Sequence, residues 1–153
     1  MPALEQRHGD YLISAEPARI DARAVHAYLS RSYWAEGIPF EVVQRSLENS
    51  VCIGAYDSTG AQVGLIRLIT DRATFCYVCD VYVLEAHRKH GLSKAMMTLA
   101  RAHPELQGLR RWNLVTQDAH GLYRQFGFEA PPKPERYMER LDREVYKRGR
   151  PPA

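Results

Sequence analysis

Residues 81–95 read VYVLEAHRKHGLSKA, an apolar run that passes through a basic stretch and a glycine into residues of helical period. The first turn of a helix leaves backbone N–H groups without intrahelical partners, and the helix dipole adds partial positive charge there. Arg88 and Lys89 bring formal charge to the same place, and Gly91 lets a bulky anion approach the backbone. The turn from Arg88 to Lys94 therefore has the chemistry to hold a pyrophosphate. A solvated loop is the other reading of two adjacent cations. Neither a G-x-x-x-x-G-K-[ST] loop nor a G-x-G-x-x-G turn after the first strand is present, which argues against P-loop and dinucleotide folds. His87 and His90 flank the turn without a third ligand nearby, so no metal is expected.

Cys76 and Cys79 form a C-x-x-C, a spacing used in redox and zinc sites. They lie in an apolar β-type run, TFCYVCDVYV, where residues three apart point to opposite faces, and no second cysteine pair completes a metal site. Core cysteines are the expectation, and an odd total of three argues against a disulfide framework.

The elements that must position the basic turn follow from periodicity. Residues 74–84 predict a mid-sheet strand, apolar on both faces apart from Asp80. Leu92, Ala95, Met96, Leu99 and Ala100 predict a helix that begins close to Gly91 and ends before Pro104 and Gly108. Upstream, residues 1–9 read as a loose end, and 11–14 as a short strand. Residues 21–30 predict a helix capped by Asp21, and a second helix starts with Pro39 in its first turn and runs to about Asn49. SVCIGAY and QVGLIRLIT around Asp57-Ser58-Thr59-Gly60 predict a hairpin, and Asp71-Arg72-Ala73 a second turn. Downstream come a strand at 111–116, a short helix capped by Asp118 and stopped by Gly127, and a last strand at 137–141. The order is β-α-α-β-β-β-α-β-α-β, with helices on the faces of a mixed sheet.

At 153 residues, with 45% hydrophobic and 25% charged residues, the chain fits one globular domain, expected over 1–142 with a basic tail at 143–153. Apolar stretches fall short of the roughly 18 residues of a membrane span, and MPALEQRHGD lacks an apolar signal core, so a cytoplasmic protein is expected. A net charge of +3, with carboxylates spread along the chain, calls for neither a nucleic acid nor a membrane as partner.

Arg88-Lys89-His90-Gly91-Leu92-Ser93 resembles the R/Q-x-x-G-x-G/A loop of the GNAT acetyltransferases, with serine at the last position where the family has glycine or alanine. Residues 118–128, DAHGLYRQFGF, resemble that family's A-x-x-L-Y-x-x-x-G-F helix. Two matches joined by one helix and one strand are more specific than either alone. The resemblance implies an α/β (α+β) fold, a mixed and mostly antiparallel central sheet flanked by helices, with the parallel strands 74–84 and 111–116 splayed apart. Acetyl-CoA would be the acyl donor, with no metal. Its pantetheine arm would lie in the gap on the backbone of Val81 and Val83, where an N–H polarises the thioester carbonyl. Its pyrophosphate would lie on Arg88, Lys89, His90, Gly91, Leu92, Ser93 and Lys94. The implied activity is direct transfer of acetyl to a primary amine of a small molecule or protein, by a monomer or homodimer. A silent acyl-CoA-binding sensor or interaction module is the alternative.

An attacking amine must lose a proton, and a departing thiolate, with a pKa of roughly 8.5 by analogy with cysteine, gains from a nearby acid. The family match makes Tyr123 the candidate acid; a core tyrosine is the plainer reading. Asp80 and Glu85 are the candidate bases, and Asp80 has a second reading as the structural partner of an arginine such as Arg67. Tyr33, Trp34, Phe40 and Tyr77 are candidates for an aromatic acceptor pocket or, equally, for the core.

Overall fold

The chain opens with a hairpin. In the computed structural model, which describes residues 4–148, β1 (Glu5–His8) pairs antiparallel with β2 (Tyr11–Ser14), so the expected loose end is a strand. Its two-residue connection, Gly9-Asp10, places glycine at φ +59°, a left-handed conformation that an L side chain resists. EQRH carries no apolar alternation because β1 is the edge of the sheet.

The sheet has six strands in the order β1-β2-β3-β4-β5-β6. β3 (Val51–Tyr56) and β4 (Gln62–Thr70) form the expected hairpin, and every residue of β3 is buried. Asp57 organises the turn, its Oδ1 accepting from the amides of Thr59 and Ala61. β5 (Phe75–Val83) pairs antiparallel with β4 on one side and parallel with β6 (Arg111–Leu114) on the other. It lies inside the sheet, as its two-sided apolar pattern demands.

Helices cover both faces. On one, α3 (Leu92–Ala102) lays Leu92, Met96, Leu99 and Ala100 against Ile53, Ile66 and Val78. The short α4 (His120–Arg124) adds Tyr123 to that layer. On the other, α1 (Ala22–Leu29) and α2 (Phe40–Glu48) bury Val25, Leu29, Val43 and Leu47 against Leu65 and Tyr82. Adjacent residues Leu65 and Ile66 serve opposite layers, the period of two that a strand imposes. Each such side chain contributes about 1.5–3 kcal/mol of burial.

Asp21 caps α1 as expected, its Oδ1 accepting from the amides of Arg23 and Ala24. Pro39 is the cap before α2 and not its first residue. At α4 the expected cap is wrong: Thr116 Oγ1 accepts from the Ala119 amide at 3.0 Å, and Asp118 is exposed. The expected strand at 137–141 is absent. A 3-10 turn at Pro134–Arg136 delivers the chain into an exposed, unladdered stretch, because strand propensity without a neighbour to pair with does not make a strand. A last turn of helix, α5 (Val145–Arg148), occupies part of the expected tail, and 149–153 lie outside the described residues. Among the described residues no helix is long and apolar enough to cross a membrane.

Gly54, in the middle of β3, is fixed by its neighbour. A Cβ there would lie 2.4 Å from Tyr56 Oη and 2.7 Å from its ring, and that ring is itself buried. Gly54→Ala is therefore expected to lower the unfolding free energy by about 1–3 kcal/mol in urea titration, through a forced shift of Tyr56.

Candidate active site

β6 runs beside β5 along the whole of its own length but only along the first half of β5. The parallel ladder joins Phe75 to Arg111 and ends at Val78 with Leu114, while β5 continues to Val83. The cause lies on β5 itself. Its register against β4 slips between Leu65 and Arg67, and Asp80 takes φ +49°, a left-handed value that costs a non-glycine residue about 1–3 kcal/mol. The bulge opens the sheet at Val81, half-buried, and Val83, buried. The family resemblance implies backbone contacts to the pantetheine arm at these two residues.

Asp80 is held in this conformation from two sides. Arg67 Nε donates to Oδ2 at 2.7 Å, and Trp34 Nε1 donates to Oδ1 at 2.8 Å. Arg67 reaches Ser50 Oγ as well, at 3.1 Å. The two side chains of the ion pair are 16% and 10% exposed, so it is largely shielded from water. Burial is the largest single influence on Arg67 and works against its charge; the charge and hydrogen bond of Asp80, with Cys79 and Cys52, together outweigh it, so the net shift of the guanidinium is upward. Of the two readings of Asp80, pairing with Arg67 is the one present in the fold. Trp34 was not expected as a partner, and it ties the α1–α2 loop to the bulge.

Glu85, in contrast, is exposed in a 3-10 turn just past β5. The basic turn follows. Arg88 folds back so that its Nε donates to the Val83 carbonyl at 3.0 Å. Lys89 and Gly91 take left-handed φ values of +68° and +72°, and Gly91 is the N-cap of α3. Lys89, His90 and Lys94 are exposed, Ser93 is half-buried, and Leu92 is buried as part of the core. A left-handed residue thus stands at each side of His90, and turns built with left-handed residues can aim backbone N–H groups at an anion.

Tyr123 is buried, with its ring edge-on to Phe128 at 5.8 Å. Burial pushes its hydroxyl above the usual phenol range, so it holds its proton at neutral pH. It lines a cleft of about 520 Å3 with Trp112, Leu114, Thr116 and Tyr137, along the side of β6. No residue of β5 or of the turn at 88–94 lines that cleft.

The four aromatic candidates do not form one cluster. Trp34 touches Asp80 and lies beside Tyr33, which is 73% exposed. Tyr77 is half-buried on β5. Phe40 is the first residue of α2 and packs on α1 against His26 and Arg23. Tyr28, which sequence reasoning passed over, stacks on Tyr82 with ring centroids 4.0 Å apart. Cys76 is buried in one core layer, and Cys79 donates from Sγ to the Arg67 carbonyl. Burial raises their thiols to about 11 and about 12.

The profile of the acetyltransferase (GNAT) domain matches residues 48–130. The chain belongs to the GNAT acetyltransferase family. A Gibberella zeae protein named as a candidate acetyltransferase is 36% identical over 137 residues, covering 75% of this chain and 76% of its own. The crystal structure of a candidate GNAT-family acetyltransferase from Xanthomonas campestris is 44% identical, with a TM-score of 0.84 over 89% of this chain and 96% of that one. A candidate acetyltransferase from Clostridium acetobutylicum, crystallised with acetyl-CoA, shares the fold at 15% identity, with a TM-score of 0.60 over 86% of this chain and 94% of its own.

Removing the carboxylate tests the anchoring role of Asp80. Asp80→Ala is expected to lower the unfolding free energy by about 3 kcal/mol, since it leaves the Arg67 charge shielded from water without its partner. A loss under about 0.5 kcal/mol in urea denaturation, the range of an exposed pair, would remove that role.

Proposed function

We propose that this protein is an acetyl-CoA-dependent N-acetyltransferase that passes an acetyl group directly to a primary amine in the cytoplasm. The observation that carries the proposal is the end of the β5–β6 ladder at Val78 and Leu114, which leaves the strand edge at 79–83 free of β6. That edge suits the amide-rich pantetheine arm of coenzyme A, which would add to it by strand-like hydrogen bonds. The turn at 88–94 suits the pyrophosphate, through its N–H groups and the charge of Lys89 and Lys94. The Clostridium acetobutylicum protein of the same fold was crystallised with acetyl-CoA, which supports the choice of donor.

The chemistry follows from what each group has to do. The amine nitrogen attacks the thioester carbonyl, and the carbonyl oxygen gathers charge that a β5 N–H stabilises. Collapse breaks the C–S bond, and Tyr123, protonated at neutral pH, supplies the departing thiolate with a proton or a hydrogen bond. The amine proton leaves through water. Glu85 is exposed and free to accept it, whereas both oxygens of Asp80 are engaged. Asp80 serves the reaction by holding Trp34, and with it the α1–α2 loop, where the acceptor enters. No cysteine is needed as a nucleophile, and thiols raised to about 11 and about 12 carry little thiolate at neutral pH.

Acetyl-CoA is expected to raise the melting temperature, and an amine panel to release free thiol. Stabilisation without thiol release from any amine, protein amino groups included, would favour a silent acyl-CoA-binding module. No stabilisation at saturating acetyl-CoA would refute the donor. Tyr123→Phe should lower kcat by about 100-fold while leaving acetyl-CoA affinity in place; a change within about twofold would remove Tyr123 as the acid. Glu85→Gln should lower kcat at pH 7 by about 100-fold as well, and an unaltered pH–rate profile would take the base role away from Glu85.

A further inference from the structure

The β1–β2 hairpin touches the basic turn at two points. His8 Nε2 donates to the carbonyl of His90 at 2.6 Å, a contact between residues 82 apart in sequence. A carbonyl only accepts, so the ring carries a proton on Nε2. Tyr11 Oη and His87 Nδ1 are hydrogen-bonded at 2.9 Å. The Tyr11 ring packs against both loop histidines, edge-on to His87 at 5.7 Å and tilted against His90 at 5.6 Å. The hairpin packs close: a Cβ built on Gly91 would lie 3.5 Å from His8 Nε2.

These contacts bracket the segment that takes unfavourable backbone values. His87 precedes Arg88, and His90 lies between Lys89 at φ +68° and Gly91 at φ +72°. Lys89 pays for its left-handed conformation, of order 1 kcal/mol or more, and such a residue persists only when its surroundings hold it. The Arg88 bond to Val83 is local, five residues back along the chain. Among the described residues, the side-chain hydrogen bonds that reach 87–91 from elsewhere in the fold are those of His8 and Tyr11.

We propose that His8 and Tyr11 are positioning residues that clamp the turn at 87–91 in its left-handed form, the form that receives the pyrophosphate of an acyl-CoA. The ligand named here rests on the acetyl-transfer reading; the clamp itself does not. A turn that is released visits other conformations, and its affinity for the anion falls by the fraction of time spent in them.

Three variants test it in the full chain: His8→Leu removes the donor, His8→Gln returns an N–H near the ε position, and Tyr11→Phe removes only the hydroxyl. Amide hydrogen exchange at 89–92 is read without ligand, and acetyl-CoA affinity by calorimetry. His8→Leu is expected to speed exchange and weaken acetyl-CoA by about fivefold, the scale of one neutral hydrogen bond, with His8→Gln within about twofold of wild type on both. Tyr11→Phe should move both readouts in the same direction as His8→Leu, and it carries the test if His8→Leu does not fold. Unchanged exchange in the folded variants overturns the clamp, whatever acetyl-CoA does. Faster exchange with unchanged acetyl-CoA affinity overturns its link to the ligand, as does a global loss of exchange protection that His8→Gln leaves uncorrected. If wild type fails to bind acetyl-CoA while exchange still responds to His8, the acetyl-transfer reading has failed and takes the named ligand with it, and the clamp stands.

Discussion

The ion pair of Arg67 and Asp80 is the interaction on which the rest of the site depends. A strand with neighbours on both sides has every reason to stay flat, since each ladder hydrogen bond lost inside a protein is costly. β5 departs from flatness at one residue, and that residue carries a carboxylate held by a guanidinium from β4 and an indole from the α1–α2 loop. The strain at Asp80 and the desolvation of its charge are both offset by the same pair of contacts. Because the strand is bent there, β6 can follow it no further than Val78.

Two separate layers of core make this arrangement rigid. The α3 side fixes β5 through Val78 and Cys76, and the α1–α2 side fixes it through Tyr82, stacked under Tyr28. Opening a sheet between two strands exposes backbone groups, and the flanking strands tolerate this because β3 and β4 are buried almost throughout. The site is thus a local defect in a well-packed sheet, and the packing lies on both faces of the defect.

Much of this was legible in the residues, for reasons that differ by element. α3 announced itself because Leu92, Met96, Leu99 and Ala100 share one face, and Gly91 stood out as a place where a bulky anion could approach the backbone, while its left-handed φ is visible only in the fold. The β3–β4 hairpin followed from Asp57 and Gly60. β1 was missed because an edge strand of Glu, Gln, Arg and His has no apolar face to betray it, although Gly9-Asp10 before YLIS is a hairpin signal. YMERL looked like a strand and is not one, since pairing is decided by neighbours and not by the segment. The bulge left no local trace: a pairing of Asp80 with Arg67 was one of two readings open from the residues, but the left-handed φ of Asp80 and its bond from Trp34 exist only once the fold brings these elements together. His8 and Tyr11 were out of reach for the same reason, since their partners lie at His90 and His87.

The buried cysteines have a bearing on the protein's chemical environment. An acetyltransferase leaves a free thiol behind with every turnover, and a free thiol can attack a disulfide or be captured by an oxidised cysteine. Cys52 and Cys76 are buried and Cys79 is partly so, with thiols raised to about 12, about 11 and about 12. Such groups present little thiolate to coenzyme A or to oxidants. The C-x-x-C that resembles a redox motif is, by its burial, part of what would keep the protein inert toward the thiol that the proposed reaction releases.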